Sequence, residues 1–390
     1  MSKLNELIQQ YCPDGVEYKK LGDVCLMERG TSATKATMQE GDIPVISGGR
    51  QPAFYCSQSN RTGETITVAG SGAGAGYVQY WDKPIFVCDA FSIKGNDSLN
   101  TKYIYYFLTS IQEKIYATKK GGGVPHVHIS SIDKFVIPVP LLPVQEEIAR
   151  ILDNFAELQA ELQAELQAEL QKRLQQYNFY RDNLLSFEGR TDVEWKKLGE
   201  IATIKTGRRF VRTDIRESGV PCFHYGDLYT YYGLTATQTI GYLDAELASK
   251  LRFAQPNDVV VVCAGENDMD IGVGVAWLGN EPAVVHDACC ILHHDQNPRY
   301  ISHFLRTHNY HLQMKKYVKN GKISSLPSSG LANALIPIPS LEEQERIATI
   351  LDKFYALTTD ITAGLPAEIE ARRKQYEYYR DQLLNFKQKA

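Results

Sequence analysis

The stretch IPVPLLPVQEEIARILDNFAEL at 137–158 occurs a second time as IPIPSLEEQERIATILDKFYAL at 336–357. The run QQYNFYRDNLLSF at 175–187 returns as KQYEYYRDQLLNF at 374–386, again 199 residues later. An earlier pair, YKKLG beginning at Tyr18 and WKKLG beginning at Trp195, is offset by 177 residues, so the second copy has gained 22 residues. Such self-similarity indicates two copies of one structural unit. The copies share their edges and differ in their centres.

The shared blocks predict helices. In the first copy, Ile148, Ile151, Leu152 and Phe155 follow the three-and-four spacing of one apolar helical face. Residues 144–187 contain neither glycine nor proline. A helix of about 43 residues would be about 65 Å long, and its apolar stripe requires a partner helix.

Four consecutive AELQ tetrapeptides occupy 156–171. They repeat a leucine at every fourth position, at Leu158, Leu162, Leu166 and Leu170. Each tetrapeptide would add about 6 Å of helix and about 40° of rotation. We expect the partner helix to be the second copy, 342–386, packed antiparallel. It should break or kink at Gly364-Leu365-Pro366, because proline disfavours helix at the residue before it.

The divergent centres predict two α+β domains. Each contains short β-like runs and glycine- and proline-rich turns, and each ends in a helical pattern, at 103–116 and 300–317. The predicted fold is therefore α+β, with two mixed α/β domains held apart by two long antiparallel helices in a pseudo-two-fold repeat. The predicted segments are an N-terminal helical segment 1–17, a first domain 18–142, a central spacer helix 143–187, a second domain 188–340 and a C-terminal spacer helix 341–390.

The glycine-rich loop GSGAGAG at 70–76 favours a hairpin turn over a nucleotide site. A dinucleotide fingerprint needs glycine at its sixth position, where this loop has Ala75, and it must open a helix. The chain also lacks a phosphate-binding loop, since Ile323 follows Gly321-Lys322, and it lacks the Asn/Asp-Pro-Pro-aromatic tetrapeptide of amino-methyltransferases. We therefore expect no catalytic site in this chain.

Cysteine and histidine are dense at Cys289, Cys290, His293 and His294. Adjacent residues of a strand face opposite sides, so these four side chains should not converge on zinc, and we expect them to be buried and structural. The eight cysteines include no C-x-x-C pair, which favours reduced thiols in a cytoplasm. No apolar run approaches the ~18 residues of a membrane span.

The net charge of −4 at first argues against a nucleic-acid partner. Its distribution argues otherwise. Residues 18–142 carry 13 basic and 10 acidic side chains and 195–340 carry 15 and 13, whereas 143–194 carry 5 and 11. Positive charge thus lies in the divergent centres, where glycine-flanked basic loops suit contact with phosphates. An ordinary solvated surface of lysines would show the same charge, and charge alone does not choose between the two.

These motifs resemble those of a known family. The K-L-G-(D/E) entry and the I-P-(V/I)-P…Q-E-(E/R)-I-A-x-I-L-D block, each present twice, resemble the DNA specificity subunit of type I restriction-modification enzymes. The tetrapeptides and the paired (Y/F)-Y-R-D-(N/Q)-L-L blocks at 179–185 and 378–384 resemble the branch with tetrapeptide repeats in the central helix. Glutamine stands where the usual repeat has threonine. The resemblance covers the whole chain and is weak inside both predicted recognition domains.

The resemblance implies a non-catalytic subunit of a cytoplasmic complex. Each target recognition domain would read one half of a bipartite double-stranded DNA site, and the helices would set the spacer and dock two DNA methyltransferase subunits. Those partners would bind S-adenosylmethionine and methylate adenine N6, and restriction subunits would use ATP and Mg²⁺ to translocate and cleave DNA. This chain would itself hold no cofactor and no metal, and would not contact a membrane.

Predicted DNA contacts lie in matching loops of the two domains. Arginine, histidine, asparagine and glutamate suit base edges, whereas lysines beside glycine suit phosphates. In the first domain they are Arg29, Thr31, Lys35, Ser47, Gly48, Arg50, Ser71, Lys119, Lys120, His126 and His128. In the second they are Arg208, Arg209, Arg212, His224, Tyr225, Asp227, Glu266, Asn267, Lys319, Lys322 and Ser324.

Three other functions are compatible with parts of this pattern. The specificity subunit of a type IIB-like system would share the family motifs. A coiled-coil adaptor with two protein-binding or carbohydrate-binding heads would share the helices. A self-contained methyltransferase would bind S-adenosylmethionine as an isolated chain, which we do not expect.

Overall fold

The computed structural model describes residues 3–121, 123–265, 270–319, 321, 323–359 and 364–389. The chain forms two compact units. Unit 1 consists of residues 1–164 and 370–390, and unit 2 of residues 165–369. Each unit therefore contains one divergent centre together with parts of both spacer segments.

Helices frame both units. The short and medium helices are α1 (Lys3–Tyr11), α2 (Leu21–Val24), α3 (Thr101–Ser110), α4 (Gln112–Tyr116), α5 (Ile129–Ile132), α7 (Leu198–Ile201), α8 (Tyr225–Thr230), α9 (Ala245–Ala248), α10 (Pro298–Phe304), α11 (His308–Lys315) and α12 (Ser328–Leu331). The long helices are α6 (Leu142–Leu184), α13 (Leu341–Thr359) and α14 (Leu365–Leu383). A 3₁₀ turn covers Arg212–Asp214.

Unit 1 contains three small sheets. Their strands are β1 (Glu17–Lys20), β2 (Cys25–Arg29), β3 (Ile43–Ile46), β4 (Phe54–Cys56), β5 (Thr65–Ala69), β6 (Val78–Trp81), β7 (Phe86–Val87), β8 (Ala90–Gly95) and β9 (Val136–Val139). The sheet orders are β2-β8-β5-β6, β4-β3-β7 and β1-β9. All five residues of β5 are buried, and its Ile66 and Val68 join the main core of the unit.

Unit 2 repeats this topology with additions. Its strands are β10 (Glu194–Lys197), β11 (Ala202–Thr206), β12 (Val220–Phe223), β13 (Thr235–Ala236), β14 (Gly241–Leu243), β15 (Phe253–Ala254), β16 (Val259–Val262), β17 (Ala264–Gly265), β18 (Gly274–Trp277), β19 (Ala283–Val285), β20 (Cys289–His294), β21 (Ser324–Ser325) and β22 (Leu335–Ile338). The sheet orders are β11-β20-β16-β18-β13, β14-β12-β19-β15, β10-β22 and β17-β21. Relative to unit 1, the two larger sheets gain β13 and β15 at their edges.

The duplicated sequence blocks form the joint between each divergent centre and the helix that follows it. The Gln145 side chain is fully buried; its amide oxygen accepts from Asn100 N and its amide nitrogen donates to Pro140 O. Gln344 repeats this with Asn297 N and Pro339 O. The repeated glutamine thus ties the start of the spacer helix to the domain, which explains why it occurs in both copies.

The repeated aspartate of the I-L-D motif completes the joint. In unit 1, Asp153 accepts from Lys102 at 2.6 Å and from the Tyr106 hydroxyl at 2.7 Å. In unit 2, Asp352 bonds to His303 Nε2 at 2.9 Å and accepts from Arg299. The aspartate is therefore paired at the same position in both units, with a lysine and a tyrosine in unit 1 and with a histidine and an arginine in unit 2.

The spacer segments pack antiparallel in both units, which confirms that prediction. In unit 1 the rings of Phe155 and Tyr379 lie 6.3 Å apart, and in unit 2 those of Tyr180 and Phe354 lie 5.2 Å apart. The predicted interruption is also present, since α13 ends at Thr359, Gly364 lies in a bend and α14 begins at Leu365.

Two predicted helical patterns are each divided. The pattern at 103–116 forms α3 and α4, which meet at Ile111, and the pattern at 300–317 forms α10 and α11. Capping explains the second division, because the Thr307 hydroxyl accepts from Tyr310 N and begins a new helix.

Candidate nucleic-acid interface

Several predicted contacts of unit 1 line one cleft. A cavity of about 480 Å³ is lined by Arg29 at the end of β2, Ser47 after β3, Gly70 after β5, and His126 and His128 before α5. The strand order β2-β8-β5 brings β2 and β5 to either side of β8. Loops that are far apart in sequence therefore meet in one place. We call this cavity the unit 1 cleft.

The glycine-rich loop is a turn between β5 and β6, as predicted, and it supports one wall of the cleft. Gly72 N donates to Pro125 O at 3.0 Å, and Val127 N donates to Gly70 O at 3.0 Å. His126 exchanges two backbone hydrogen bonds with Lys120, at 2.8 and 2.9 Å. The predicted late basic loop is thus joined directly to the glycine-rich turn.

His126 and His128 present their rings together. The ring centroids lie 6.2 Å apart with an interplanar angle of 7°, and both residues are exposed. Residues two apart in extended backbone face the same side, so both rings can face a ligand in the cleft. Imidazole nitrogens donate or accept hydrogen bonds, which suits base edges and phosphates alike.

Gly48 is required by the close approach of two loops. A Cβ atom at this position would lie 2.2 Å from the carbonyl oxygen of Ser71. The Ser47–Gly48 loop therefore rests directly on the glycine-rich turn, and the absence of a side chain sets the shape of that wall.

An acidic residue that the sequence analysis missed also lines the cleft. Asp89 is exposed, and its carboxylate accepts a hydrogen bond from the Ser71 hydroxyl. A carboxylate repels phosphate but accepts well from the exocyclic amino group of cytosine. The available signal was the repeated Asp-Ala step, since Asp287-Ala288 of the second copy occupies the same place before β20.

The remaining predicted residues of unit 1 are surface residues with modest contacts. Thr31 and Lys35 are exposed in the loop after β2. Arg50 lies over the Tyr77 ring at 5.0 Å, and Lys119 lies over the Tyr116 ring at 4.2 Å. These stacking contacts restrict the basic side chains without neutralising them.

Unit 2 places aromatic rings and histidines where unit 1 has its cleft. The His224 and His286 rings lie 4.8 Å apart, Tyr225 lies 5.3 Å from His286, and Phe210 lies 5.1 Å from His286. His224 follows β12, as Ser47 follows the equivalent β3. The two units therefore have different residues at equivalent positions.

Burial keeps both histidines of this cluster neutral over a wider pH range. It lowers the pKa of His224, and the neighbouring His286 lowers it further. Burial also lowers the pKa of His286, although the adjacent Asp287 opposes the shift. His224 and Tyr225 are half-buried and offer a neutral imidazole and a tyrosine for hydrogen bonding and stacking with bases, whereas His286 and Phe210 are buried beside them.

Arg212 and Asp227 form an ion pair at the edge of this cluster. The guanidinium donates to both carboxylate oxygens, at 2.7 and 2.9 Å, while the Asp227 side chain is 9% exposed and that of Arg212 is 61% exposed. Asp227 was predicted to contact DNA itself. Its burial instead makes it the residue that positions Arg212.

The other predicted residues of unit 2 differ in exposure. Arg208, Arg209 and Lys319 are exposed, and Arg208 also donates to Lys250 O at 2.7 Å. Ser324 was predicted as a contact but is buried in β21, where it pairs with Gly265. Three predicted residues lie outside the described part of the chain: Glu266, Asn267 and Lys322.

The cysteine–histidine group is buried only in part. Cys289 and Cys290 are buried and pack into different clusters, as alternation on a strand predicts. The expected burial of His293 is wrong, because its side chain is 65% exposed. Within the described residues, no group of three or more His, Cys, Asp or Glu side chains is arranged to hold a metal ion. No helix in the described ranges has the length and apolarity needed to cross a membrane.

Comparison with known proteins identifies the family. The family described as "Type I restriction modification DNA specificity domain" matches the chain twice, at residues 13–172 and 191–371. The chain belongs to this family. The specificity subunit of the type I restriction enzyme EcoR124I/EcoR124II of Escherichia coli is 31% identical over 99% of this chain and 97% of its own length. A putative type I specificity subunit of Haemophilus influenzae is 30% identical over 95% of this chain and 96% of its own.

Solved specificity subunits share the fold. A chain from a study of complex assembly and conformational transition of the type I R-M system has a TM-score of 0.67 at 17% identity, covering 96% of this chain and 98% of that one. The HsdS subunit from Thermoanaerobacter tengcongensis has a TM-score of 0.51 at 16% identity, covering 96% and 97%.

Proposed function

We propose that this specificity subunit reads a bipartite double-stranded DNA site, one half with each recognition domain, 18–142 and 188–340. The observation that carries the proposal is the duplicated fold with unlike surfaces at equivalent loops. Arg29, His126 and Asp89 line the cleft of unit 1, whereas His224 and Tyr225 belong to the aromatic cluster of unit 2. One scaffold with two chemistries is what two different half-sites require.

The tetrapeptide helix is proposed to set the distance between the half-sites. Its leucines are half-buried or exposed, with Leu158 61% exposed, so the run contributes length more than core. α6 is one helix whose ends enter the cores of different units, through Ile148 in unit 1 and Tyr177 in unit 2. At about 6 Å per tetrapeptide and ~3.4 Å per base pair, each repeat corresponds to about two base pairs.

The spacer helices are proposed to dock two DNA methyltransferase subunits. Large apolar side chains at equivalent positions are exposed in both copies: Phe179 62% and Tyr378 60%, and Leu158 61% and Leu357 50%. Exposed apolar groups that recur at one offset indicate two equivalent partner surfaces. The partners would bring S-adenosylmethionine, adenine-N6 methyl transfer and, with restriction subunits in the cytoplasm, ATP- and Mg²⁺-dependent cleavage. This chain would then be a non-catalytic subunit.

Long-read detection of methylated adenine tests the function. A host without other methyltransferases would carry this subunit with its modification partners. We expect methylation within one bipartite sequence, with two fixed half-sites separated by a constant number of unspecified bases. Methylation without sequence preference, or none with all partners present, would contradict the proposal. A type IIB-like system would give the same methylation but double-strand cleavage on both sides of the site.

A further inference from the structure

A second cavity, of about 370 Å³, lies at the sheet edge of unit 2. It is lined by Thr203 and Lys205 of β11, Arg252 beside β15, and His293 of β20, with Asp258 behind them. Thr203 lies opposite His293 in the antiparallel register. Lys205 is two residues further along the same exposed face of β11. We call this the basic cavity.

Asp258 orients His293 within the basic cavity. The carboxylate Oδ1 lies 2.7 Å from His293 Nδ1, and Oδ2 accepts from Gln255 N at 2.7 Å. The Asp258 side chain is 3% exposed, whereas that of His293 is 65% exposed. A buried carboxylate thus holds one ring nitrogen and fixes the direction of the other, Nε2, for a ligand.

The basic cavity continues into the predicted DNA-contacting loop. Arg252 donates to Thr206 O, and Arg208 donates to Lys250 O at 2.7 Å, so these side chains flank the turn at Gly207. Among described residues, no carboxylate lies within 4 Å of the charged groups of Lys205, Arg208 or Arg252. Lys205 and Arg252, which line the cavity, and Arg208, which flanks the turn, therefore have no ion-pair partner among the described residues.

We propose that the basic cavity binds a phosphate group of the DNA backbone, outside the bases that unit 2 reads. Lys205 and Arg252 come from different elements and supply donors to one anion, the composition that phosphate contacts favour. His293 adds a donor at Nε2 when its ring is protonated, because its Nδ1–H is held by Asp258. This inference rests on the proposed DNA-reading function and adds a non-specific anchor to it. A free phosphate offers the same chemistry, and the test below separates the two sources.

The equivalent face of unit 1 has a different character. Leu26 occupies the place of Thr203 and lies opposite Lys94, while Glu28 stands where unit 2 has Lys205. Glu28 lies 3.5 Å from Arg61. A carboxylate at this position disfavours phosphate, so the anchor belongs to the second half-site alone.

The test uses the assembled complex with its methyltransferase partners and a DNA duplex carrying the target. Equilibrium binding is measured across a salt series for wild type and for Lys205→Ala/Arg252→Ala. We expect roughly ten-fold weaker binding. The slope of log affinity against log salt should fall by about 1, equally for target and unrelated DNA. Lys196→Ala is the control, because Lys196 is a half-buried lysine of the same unit that is already paired with Glu194 at 3.1 Å.

The outcomes separate the inference from the proposed function. An unchanged slope in the double variant, with wild type methylating its target, overturns the phosphate anchor alone. So does a double variant that keeps its slope but loses protection by inorganic phosphate against thermal unfolding, which would assign the cavity to free phosphate. Absence of DNA binding by the wild-type complex overturns the proposed function and the anchor with it. An altered methylated sequence in the double variant would show base reading and also overturn the anchor.

Discussion

Arg212 Nη1 donates to both carboxylate oxygens of Asp227, at 2.7 and 2.9 Å. The Asp227 side chain is largely buried, whereas that of Arg212 is exposed to solvent. Both contacts are made by the one nitrogen Nη1, so the ion pair anchors the end of the Arg212 side chain at that atom. The backbone of Asp227 lies in the first turn of α8, and its carbonyl oxygen accepts from Tyr231 N and Tyr232 N just after the end of this helix. The direction of Arg212 is thus set by the start of this helix.

Asp227→Asn should weaken binding to the second half-site because Arg212 loses its orienting partner. Arg212→Ala should cost about 1–3 kcal/mol of binding free energy and relax specificity at one position. We expect the combined variant to be no weaker than Arg212→Ala alone, since both changes act on one contact. Binding titrations with duplexes altered in either half-site measure this. An additive double variant would contradict the positioning role.

Gly48→Ala should damage the first half-site selectively. The added Cβ would meet the Ser71 carbonyl at 2.2 Å and push the two loops of the cleft apart, at a cost of about 1–3 kcal/mol. Gly49→Ala is the matched control, because its nearest non-neighbouring atom is 3.4 Å away. Competition binding with half-site variants should show lost discrimination in the first half-site only for Gly48→Ala. Equal behaviour of the two variants would contradict the close-approach argument.

Deletion of one tetrapeptide, residues 164–167, should shorten the accepted spacer by about two base pairs and leave both half-sites unchanged. Methylation mapping of the variant measures both quantities at once. Leu166→Ala is the control, since it changes the same repeat without changing the helix length. Altered half-site bases with an unchanged gap would contradict the role of this helix in spacing.

Phe179→Ala and Tyr378→Ala should each remove one methyltransferase subunit from the complex. The two side chains have similar exposed fractions, 62% for Phe179 and 60% for Tyr378, and they occupy equivalent positions in the two copies. Loss of a buried aromatic anchor typically costs about 2 kcal/mol or more of binding. Native mass spectrometry should show a stoichiometry falling from two partners to one, and to none in the double variant. Tyr231→Ala, at a tyrosine that is 69% exposed and is not part of the spacer helices, serves as the control.

Acid should destabilise unit 2. Burial lowers the pKa of five of its histidines: His224, His286, His294, His303 and His311. The unfolded chain takes up protons near pH 6.5, while the folded unit does so only at lower pH. This stabilisation is therefore complete above about pH 6.5 and declines as the pH falls through the folded values.

Thermal unfolding at about pH 7.5 and about pH 5.5 measures the effect. We expect Tm to fall on acidification in the wild type, and to fall less in His224→Phe/His286→Phe, which removes two of the titrating groups. The same substitutions at the exposed His126 and His128 of unit 1 provide the comparison. If acidification lowered the Tm of His224→Phe/His286→Phe more than that of the wild type, the predicted direction would be contradicted.

Local sequence predicted the helices and strands better than it predicted the contacts between side chains of different elements. The uninterrupted composition of 144–187 predicted α6, and the alternating direction of side chains along β20 explained why Cys289 and Cys290 pack into different clusters. Repetition fixed the equivalence of the two copies. These features depend on residues close in sequence or on direct similarity.

The details of the candidate interface depend on tertiary pairing. Ser324 is buried because β21 pairs with β17, and the sequence around Ser324 does not predict this pairing. His293 is exposed and oriented by Asp258, 35 residues earlier, through the pairing of β16 with β20. Asp89 and the basic cavity were missed for the same reason. Strand register decides which side chains meet, and it is fixed by packing of the whole unit.

The division of the chain has a consequence for its synthesis on the ribosome. The core of unit 1 includes Leu384, and the Tyr18 hydroxyl donates to Phe386 O, so residues 1–164 lack part of their own core until these residues emerge. Unit 2, by contrast, draws all its residues from 165–369. The unit that is translated first is therefore completed last. Until Leu384 has emerged, the core of unit 1 is incomplete, and a chain that stalls early leaves part of its apolar core open to aggregation.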